Sequence, residues 1–109
     1  MESATFFRIV FVTNDSYYNS YQMAKVLVNE HLAACCTVIA NCISIFEWEG
    51  KIEERNEFTL LIKTSEDKLE KLEKRIKEIH TDMVPEIISI KMDSAHAPYL
   101  EWMRDELKV

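Results

Sequence analysis

The chain has 109 residues, 48% hydrophobic and 29% charged, which is the composition of an ordinary soluble globular protein and suits a single domain over 1–109. Its net charge of −6 argues against nucleic acid as a partner, because phosphate binding needs a clustered cationic surface. The only glycine, Gly50, excludes a glycine-rich phosphate loop and a dinucleotide-binding fingerprint.

The amino-terminal segment predicts neither secretion nor membrane insertion. Residues 1–5 lack a basic region, and the apolar run that follows contains Arg8 and is too short to cross a bilayer. We therefore expect a cytoplasmic protein with no membrane insertion.

The first half of the chain predicts a strand, a helix and a long second strand. Residues 6–13 are almost continuously apolar, which is typical of a central strand covered on both faces. Residues 14–16 offer a turn with N-cap candidates, and apolar residues at helical spacing then predict a helix over about 17–31. Residues 35–48 form the predicted long strand.

The second half predicts a hairpin, a helix, a strand and a last helix. Gly50 fits a tight turn that needs a positive φ, and residues 57–64 are the predicted return strand. Residues 64–67 can cap a helix with an apolar stripe. Val84 must be extended because it precedes Pro85, so the helix ends before it. Residues 86–93 predict a strand. Pro98 suits the first position of the final helix.

The three cysteines predict no disulfide, because their number is odd and they show no pairing pattern. In a regular strand Cys35 and Cys36 point to opposite faces, while Cys36 and Cys42 share a face about 20 Å apart. The cysteines are interpreted as small buried hydrophobic residues.

The predicted order, β–α–β–β–α–β plus a carboxy-terminal helix, is of the α+β class and indicates a ferredoxin-like sandwich with an antiparallel sheet covered by helices on one face. The hairpin between the second and third strands is longer than that sheet needs. Several aromatic residues lie at the periphery of the sheet. Because exposed aromatic clusters usually mark subunit interfaces, we predict a homo-oligomer. These aromatic residues are Phe46, Trp48, Tyr99 and Trp102.

Potential metal ligands concentrate between the second helix and the last strand, where His80, Asp82 and Glu86 fall within seven residues. Imidazole and carboxylate groups suit a borderline divalent metal, although ligands from one loop bind weakly. The alternative is a polar helix-to-strand connector in which His80 complements the dipole at the helix end. Both interpretations stay open.

Residues 32–64, LAACCTVIANCISIFEWEGKIEERNEFTLLIKT, resemble the signature half of the CutA family of divalent-cation tolerance proteins. The resemblance rests on the Leu-Ala-Ala-Cys segment, the Trp-Glu-Gly-Lys hairpin tip and the Leu-Ile-Lys-Thr end. Residues 8–13, RIVFVT, fit the family's first strand, and residues 84–87 and 99–102 match two further family blocks. The similarity therefore spans about Arg8 to Leu107.

The resemblance implies a ferredoxin-like protomer in a tight homotrimer whose long hairpins pair across subunits, an architecture similar to that of the PII signalling proteins. It also implies an association with copper and divalent-cation tolerance. We expect no required cofactor, and at most weak binding of copper or another divalent cation. Animal members are linked to the anchoring of a membrane enzyme. No catalysed reaction is established for the family, so we expect no enzyme.

The chain departs from the family at the candidate metal loop. The usual His-Pro-Tyr-Glu-Val-Pro-Glu becomes His80-Thr81-Asp82-Met83-Val84-Pro85-Glu86. Some bacterial members carry a Cys and two His that are proposed to bind copper. The matching positions are Val12, Ile79 and His80, so only one of the three ligands is kept.

Lys63 and Glu86 keep the family pattern at predicted strand ends, which line the clefts between subunits in a trimer. Lys63 and Glu86 could form a small-anion or small-molecule pocket together with aromatic residues such as Trp48, Tyr99 or Trp102. The alternative is an inter-subunit salt bridge between Lys63 and Glu86. Three functional classes remain: metal binding, a PII-like or anchoring scaffold with an unknown protein partner, and an enzyme that uses Lys63 and Glu86.

Overall fold

The structure is a computed structural model that describes all residues, 1–109. Its elements in chain order are β1 (Glu2–Ser3), β2 (Phe7–Asn14), α1 (Tyr17–Asn29), β3 (Cys35–Trp48), β4 (Lys51–Ser65), a 3-10 turn (Glu66–Lys68), α2 (Leu69–Ile79), β5 (Ile87–Lys91), β6 (Ser94–Ala95) and α3 (Ala97–Leu107). No helix is long and apolar enough to cross a membrane.

The main sheet has four strands in the order β3-β4-β2-β5, and every neighbouring pair is antiparallel. This order is that of a ferredoxin-like sandwich, so the predicted α+β class is confirmed. A separate two-stranded sheet joins β1 to β6.

Helices α1 and α2 cover one face of the main sheet. Val10 and Val12 of β2 point to this side and pack in one buried cluster with Leu27 of α1 and Leu72 and Ile76 of α2. Helix α1 begins after Ser16, whose hydroxyl accepts a hydrogen bond from the Asn19 backbone N–H at 3.2 Å. The burial of this cluster of apolar side chains holds both helices against the sheet.

Helix α3 lies on the opposite face, at one end of the sheet. Phe7 alternates with Val10 and Val12 along β2 and belongs to a second buried cluster with Leu100 and Met103 of α3. The prediction that helices cover one face therefore holds for α1 and α2, while the last helix covers part of the other face.

The rest of that second face is open. Ile9 and Phe11 pair in register with Ile90 and Ile88 of β5, so these four apolar side chains lie on one face. Ile88 and Ile90 are 50% and 49% exposed. A contiguous apolar surface of this kind usually contacts another molecule.

The hairpin formed by β3 and β4 extends well beyond the sheet. The return strand begins at Lys51, not at residue 57 as predicted, and pairs with β3 back to the tip. In the part of the hairpin nearest its tip, one face carries three exposed isoleucines. These are Ile43, Ile45 and Ile52, which are 64%, 65% and 71% exposed. We call residues 42–57 the arm.

A β-bulge separates the arm from the sheet. The β3–β4 register shifts between Ile39 and Cys42, and Asn41 adopts a φ of 60°. One extra residue in β3 exchanges the faces of all later side chains. The predicted common face for Cys36 and Cys42 is therefore wrong: Cys36 pairs with the buried Ile62, whereas Cys42 accepts a hydrogen bond from Thr59 on the other face at 3.4 Å.

The hairpin tip is a two-residue loop. Glu49 and Gly50 have φ values of 51° and 80°, both in the left-handed region. A loop with two positive φ angles matches the right-handed twist of the flanking strands. The predicted need for glycine at position 50 is confirmed.

Candidate functional site

His80 is fixed on both sides by hydrogen bonds within the chain. It caps the carboxy-terminal end of α2, where its backbone N–H donates to Ile76 at 2.8 Å. The backbone N–H of Asp82 donates to Nδ1 at 2.9 Å, so Nδ1 carries no proton. The remaining ring proton is on Nε2, which donates to the Thr13 carbonyl at 2.7 Å. The imidazole thus joins the end of α2 and the following loop to the end of β2 through two hydrogen bonds.

Asp82 faces Arg55, an arginine that no pattern in the sequence predicts at this site. Its Oδ2 lies 3.4 Å from both terminal nitrogens of Arg55, which belongs to β4 within the arm. The same guanidinium lies 3.6 Å from Oε2 of Glu57, whose side chain is buried. Arg55 therefore joins two carboxylates, one from its own strand and one from the loop after α2.

Glu86 is exposed and lies in an open cavity of about 480 Å³ that also includes Thr13, Arg55 and Asp82. Two of the three predicted ligands, Asp82 and Glu86, therefore line the same cavity. The third, His80, does not line it but is hydrogen-bonded to Thr13, which does. No group of three or more His, Cys, Asp or Glu side chains is close enough to hold a metal ion within one chain.

The positions that match the bacterial copper ligands carry apolar side chains with packing roles. Val12 is fully buried in the cluster beneath α1 and α2, and Ile79 packs against that cluster. Since neither side chain can ligate a metal, His80 is the only potential ligand of that set.

The predicted cleft residues separate into two places in one chain. Lys63 lies directly opposite Cys35 in the β3–β4 register, near α3, and donates from Nζ to the Thr37 hydroxyl at 2.7 Å. Tyr99 contacts Cys35, with 3.3 Å between Oη and Sγ, and its ring lies 5.5 Å from that of Trp102.

Trp48 lies at the other end of the hairpin, where it pairs with Lys51 at the tip. It lies thirteen positions after Cys35 in β3, about 40 Å at the rise of an extended strand. Glu86 is also distant from Lys63, because the following Ile87 pairs with Val12 whereas Lys63 pairs with Ile9. A single cleft can hold these residues together only if a second subunit supplies some of them.

Burial changes the acidity of two groups near Lys63. Desolvation and the neighbouring Cys35 raise the pKa of Cys36 to about 12, although Lys63 acts in the opposite direction. Desolvation and the hydrogen bond to Cys35 raise the pKa of Tyr99 to about 12. Both groups keep their protons at neutral pH.

Comparison with known proteins agrees with this geometry. Residues 8–106 match the family model described as CutA1 divalent ion tolerance protein. The divalent-cation tolerance protein CutA of Thermus thermophilus is 36% identical over 97 residues, covering 89% of this chain and 94% of the relative. That of Pyrococcus horikoshii is 39% identical over 100 residues, covering 92% and 97%.

Solved structures give the same result. The Thermus thermophilus protein superposes with a TM-score of 0.89 at 35% identity, covering 92% of this chain and 97% of its own. A structure described as the periplasmic divalent cation tolerance protein CutA from Archaeoglobus fulgidus has a TM-score of 0.89 at 29% identity, covering 93% and 98%. The chain is a ferredoxin-like protein of the divalent-ion tolerance class. It belongs to the CutA1 family.

Proposed function

We propose that this chain acts in divalent-cation tolerance as a homotrimer assembled through the arm. The observation that supports this most directly is the row of exposed isoleucines on one face of the arm, Ile43, Ile45 and Ile52, which no part of the same chain covers. Burial of such a row in an interface contributes about 25 cal/mol per Å² of apolar surface. The trimeric state is the one that the family resemblance implies.

The open sheet face supports the same assembly. Ile88 and Ile90 lie on β5, whose outer edge has no neighbouring strand in the chain, and the outer edge of β3 is also free. Free strand edges are unfavourable in a monomer because they template pairing with other chains. An exposed apolar face is unfavourable because it remains in contact with water. A closed trimer removes both.

The oligomeric state can be tested by size-exclusion chromatography with light scattering. We expect a mass three times the 12.8 kDa of one chain. Ile45→Glu places a charge in the proposed interface and should reduce the mass, while Lys71→Glu on the exposed surface of α2 should not. A monomeric wild-type protein would contradict the proposal.

We further propose that His80, with Asp82 and Glu86, forms a weak site for copper or another divalent cation. Its support is that Asp82 and Glu86 line one cavity and that His80 is bonded to Thr13 and Asp82 at its edge. Binding has a cost, since a metal at Nδ1 must displace the N–H of Asp82. This cost agrees with a cation that is bound weakly and is not required for folding.

Calorimetric titration with copper and with zinc tests the cation site. We expect weak binding by the wild type and weaker binding by His80→Ala. His31→Ala is the matched control, because His31 also bonds a backbone carbonyl, that of Glu106 at 3.0 Å, but lies elsewhere. Identical isotherms for the wild type and His80→Ala would remove His80 from the site.

A scaffold role without metal, of the PII-like or anchoring type, is the second candidate. It is supported by an open cavity of about 600 Å³ between the arm and the loop after α2, lined in part by Phe46, Trp48, Met83 and Val84. Exposed aromatic and methionine side chains are common where a protein partner binds. A Met83→Ser, Val84→Ser variant that keeps every interaction in mild pull-downs from its own cell extract would argue against this role.

We propose a non-catalytic role and a cytoplasmic location. The location is supported by three free cysteines, which are typical of a reducing compartment. Cell fractionation with an antibody to the protein tests it.

A further inference from the structure

Four polar side chains meet beside α3 and form what we call the Lys63 cluster: Cys35, Thr37, Lys63 and Tyr99. Cys35 and Lys63 are directly opposite across β3 and β4, and Thr37 is two residues along the same face. Lys63 Nζ lies 2.7 Å from the Thr37 hydroxyl, and Cys35 Sγ lies 3.3 Å from the Tyr99 hydroxyl. A cation, two hydroxyls and a thiol thus share one small area of surface.

Lys63 has no carboxylate partner although the protein is acidic. The chain has 19 Asp and Glu against 13 Lys and Arg, and Lys77 on α2, for example, lies 3.1 Å from Glu73. Lys63 is half-buried, yet no ion pair of the molecule includes it. Its only polar side-chain contact is the neutral Thr37. A partly desolvated ammonium group without a counter-ion favours an anion from elsewhere.

The cluster has more donor hydrogens than its internal bonds use. Thr37 accepts from Lys63, which leaves the threonine hydroxyl proton and two ammonium protons free. Between Cys35 and Tyr99 one group donates to the other, so one thiol or hydroxyl proton is also free. The raised pKa of Tyr99, about 12, keeps the phenol protonated at neutral pH. The ammonium group of Lys63 repels a metal cation and attracts an anion.

An aromatic surface borders these donors. The rings of Tyr99 and Trp102 are 5.5 Å apart at an interplanar angle of 34°, and both are partly exposed on α3. A small molecule can therefore place a negatively charged end on Lys63 and an apolar body on the rings of Tyr99 and Trp102.

We propose that the Lys63 cluster binds a small oxyanion, the carboxylate or phosphate group of a small molecule. Lys63 provides the charge, while Thr37 and either Cys35 or Tyr99 provide further hydrogen bonds. The site is built by one chain and takes the opposite charge from the proposed His80 site, so it does not depend on cation binding.

The test uses inorganic phosphate and acetate as probes, with the ionic strength held constant. In a Trp48→Phe background Trp102 is the only tryptophan, and its fluorescence reports binding beside the cluster. We expect a saturable change with at least one probe. Lys63→Met should weaken binding about tenfold or more, because hydrogen bonds to charged groups are the strong ones. Lys63→Arg should retain most of it.

Tyr99→Phe and Thr37→Val remove one hydroxyl each with little change in shape, and each should weaken binding about threefold or more. Lys77→Met, which removes an exposed lysine of α2, is the control and should bind as the parent does. The proposal is overturned if neither probe binds saturably or if Lys63→Met binds equally well. It is also overturned if Lys63→Met alone lowers the oligomer mass, because Lys63 then serves an inter-subunit ion pair.

Discussion

Arg55 and Asp82 form an ion pair that joins the arm to the loop after α2, with both terminal guanidinium nitrogens 3.4 Å from Oδ2. The loop is held from its other side by His80, which bonds the Asp82 backbone and Thr13. The position of the candidate cation site therefore depends on a residue that is 25 or more positions away in the sequence.

Removing Arg55 should cost more stability than removing Asp82. Arg55→Met leaves the buried carboxylate of Glu57 without its partner, and we expect a loss of about 1–3 kcal/mol in the free energy of unfolding. Asp82→Asn breaks only a partly exposed pair and should cost less than about 1 kcal/mol. Urea denaturation at one fixed protein concentration measures both.

The matched control is Arg75→Met, which breaks the partly exposed pair with Glu30 on the helix side. Its cost should also stay below about 1 kcal/mol. An Arg55→Met variant no less stable than Arg75→Met would show that the contact with Glu57 contributes nothing.

The tautomer of His80 can be measured directly. We expect nitrogen chemical shifts with the proton on Nε2, since Nδ1 accepts from Asp82. His80→Ala removes this acceptor and should cost about 1–3 kcal/mol through two lost hydrogen bonds. Hydrogen exchange at the Asp82 amide should become faster by more than the loss of global stability explains, and the amide of Met23 in the buried middle of α1 measures that global loss. A proton found on Nδ1 contradicts the assigned bond.

The hairpin tip predicts two opposite changes in stability. Gly50→Ala places a side chain at a φ of 80° and should cost about 1 kcal/mol, although the added Cβ meets no atom within 4 Å. Glu49→Asn replaces a residue that is unfavourable at a φ of 51° by one that tolerates it, and should add a few tenths of a kcal/mol. If Gly50→Ala is neutral in thermal unfolding, the tip does not have this conformation.

Hydrophobic periodicity predicted most of the fold. The continuous apolar run of β2 and the helical spacing in α1 and α2 located these elements to within a few residues. The start of β4 was missed because residues 51–56 are mostly charged or polar, and they extend only because β3 lies opposite them. The bulge at residues 40–41 was not predicted although Asn41 tolerates its φ of 60°, because one asparagine in a long strand pattern does not by itself locate an extra residue. The bulge reversed the predicted face of Cys42.

The sequence predicted His80, Asp82 and Glu86 as candidate metal ligands, but it did not predict what their side chains contact. The acceptor of His80 is the carbonyl of Thr13, and its position depends on how α2 packs across the end of β2. Arg55 was missed because a single arginine in a charged strand gives no local signal. The contact between Cys35 and Tyr99 joins residues 64 positions apart and likewise requires the tertiary structure.

Stability should fall at high pH because Cys36 and Tyr99 hold their protons more tightly in the folded chain. Their pKa values rise from 9.0 and 10.0 to about 12. At pH values between the unfolded and folded pKa, the unfolded chain binds fewer protons, so the free energy of unfolding decreases as pH rises. The contribution is complete below about pH 9 and is lost as pH passes through about 12.

Two variants separate these groups. Tyr99→Phe should remove a late step from the ultraviolet phenolate titration, leaving the other tyrosines unchanged. Cys36→Val should flatten the pH dependence of unfolding between about pH 9 and 12, because a buried apolar side chain cannot ionise. Alkylation at pH 8 followed by mass spectrometry gives an independent measure: Cys36 should react much more slowly in the folded protein than in urea. Equal rates for Cys36 under the two conditions would mean that burial does not suppress its thiolate.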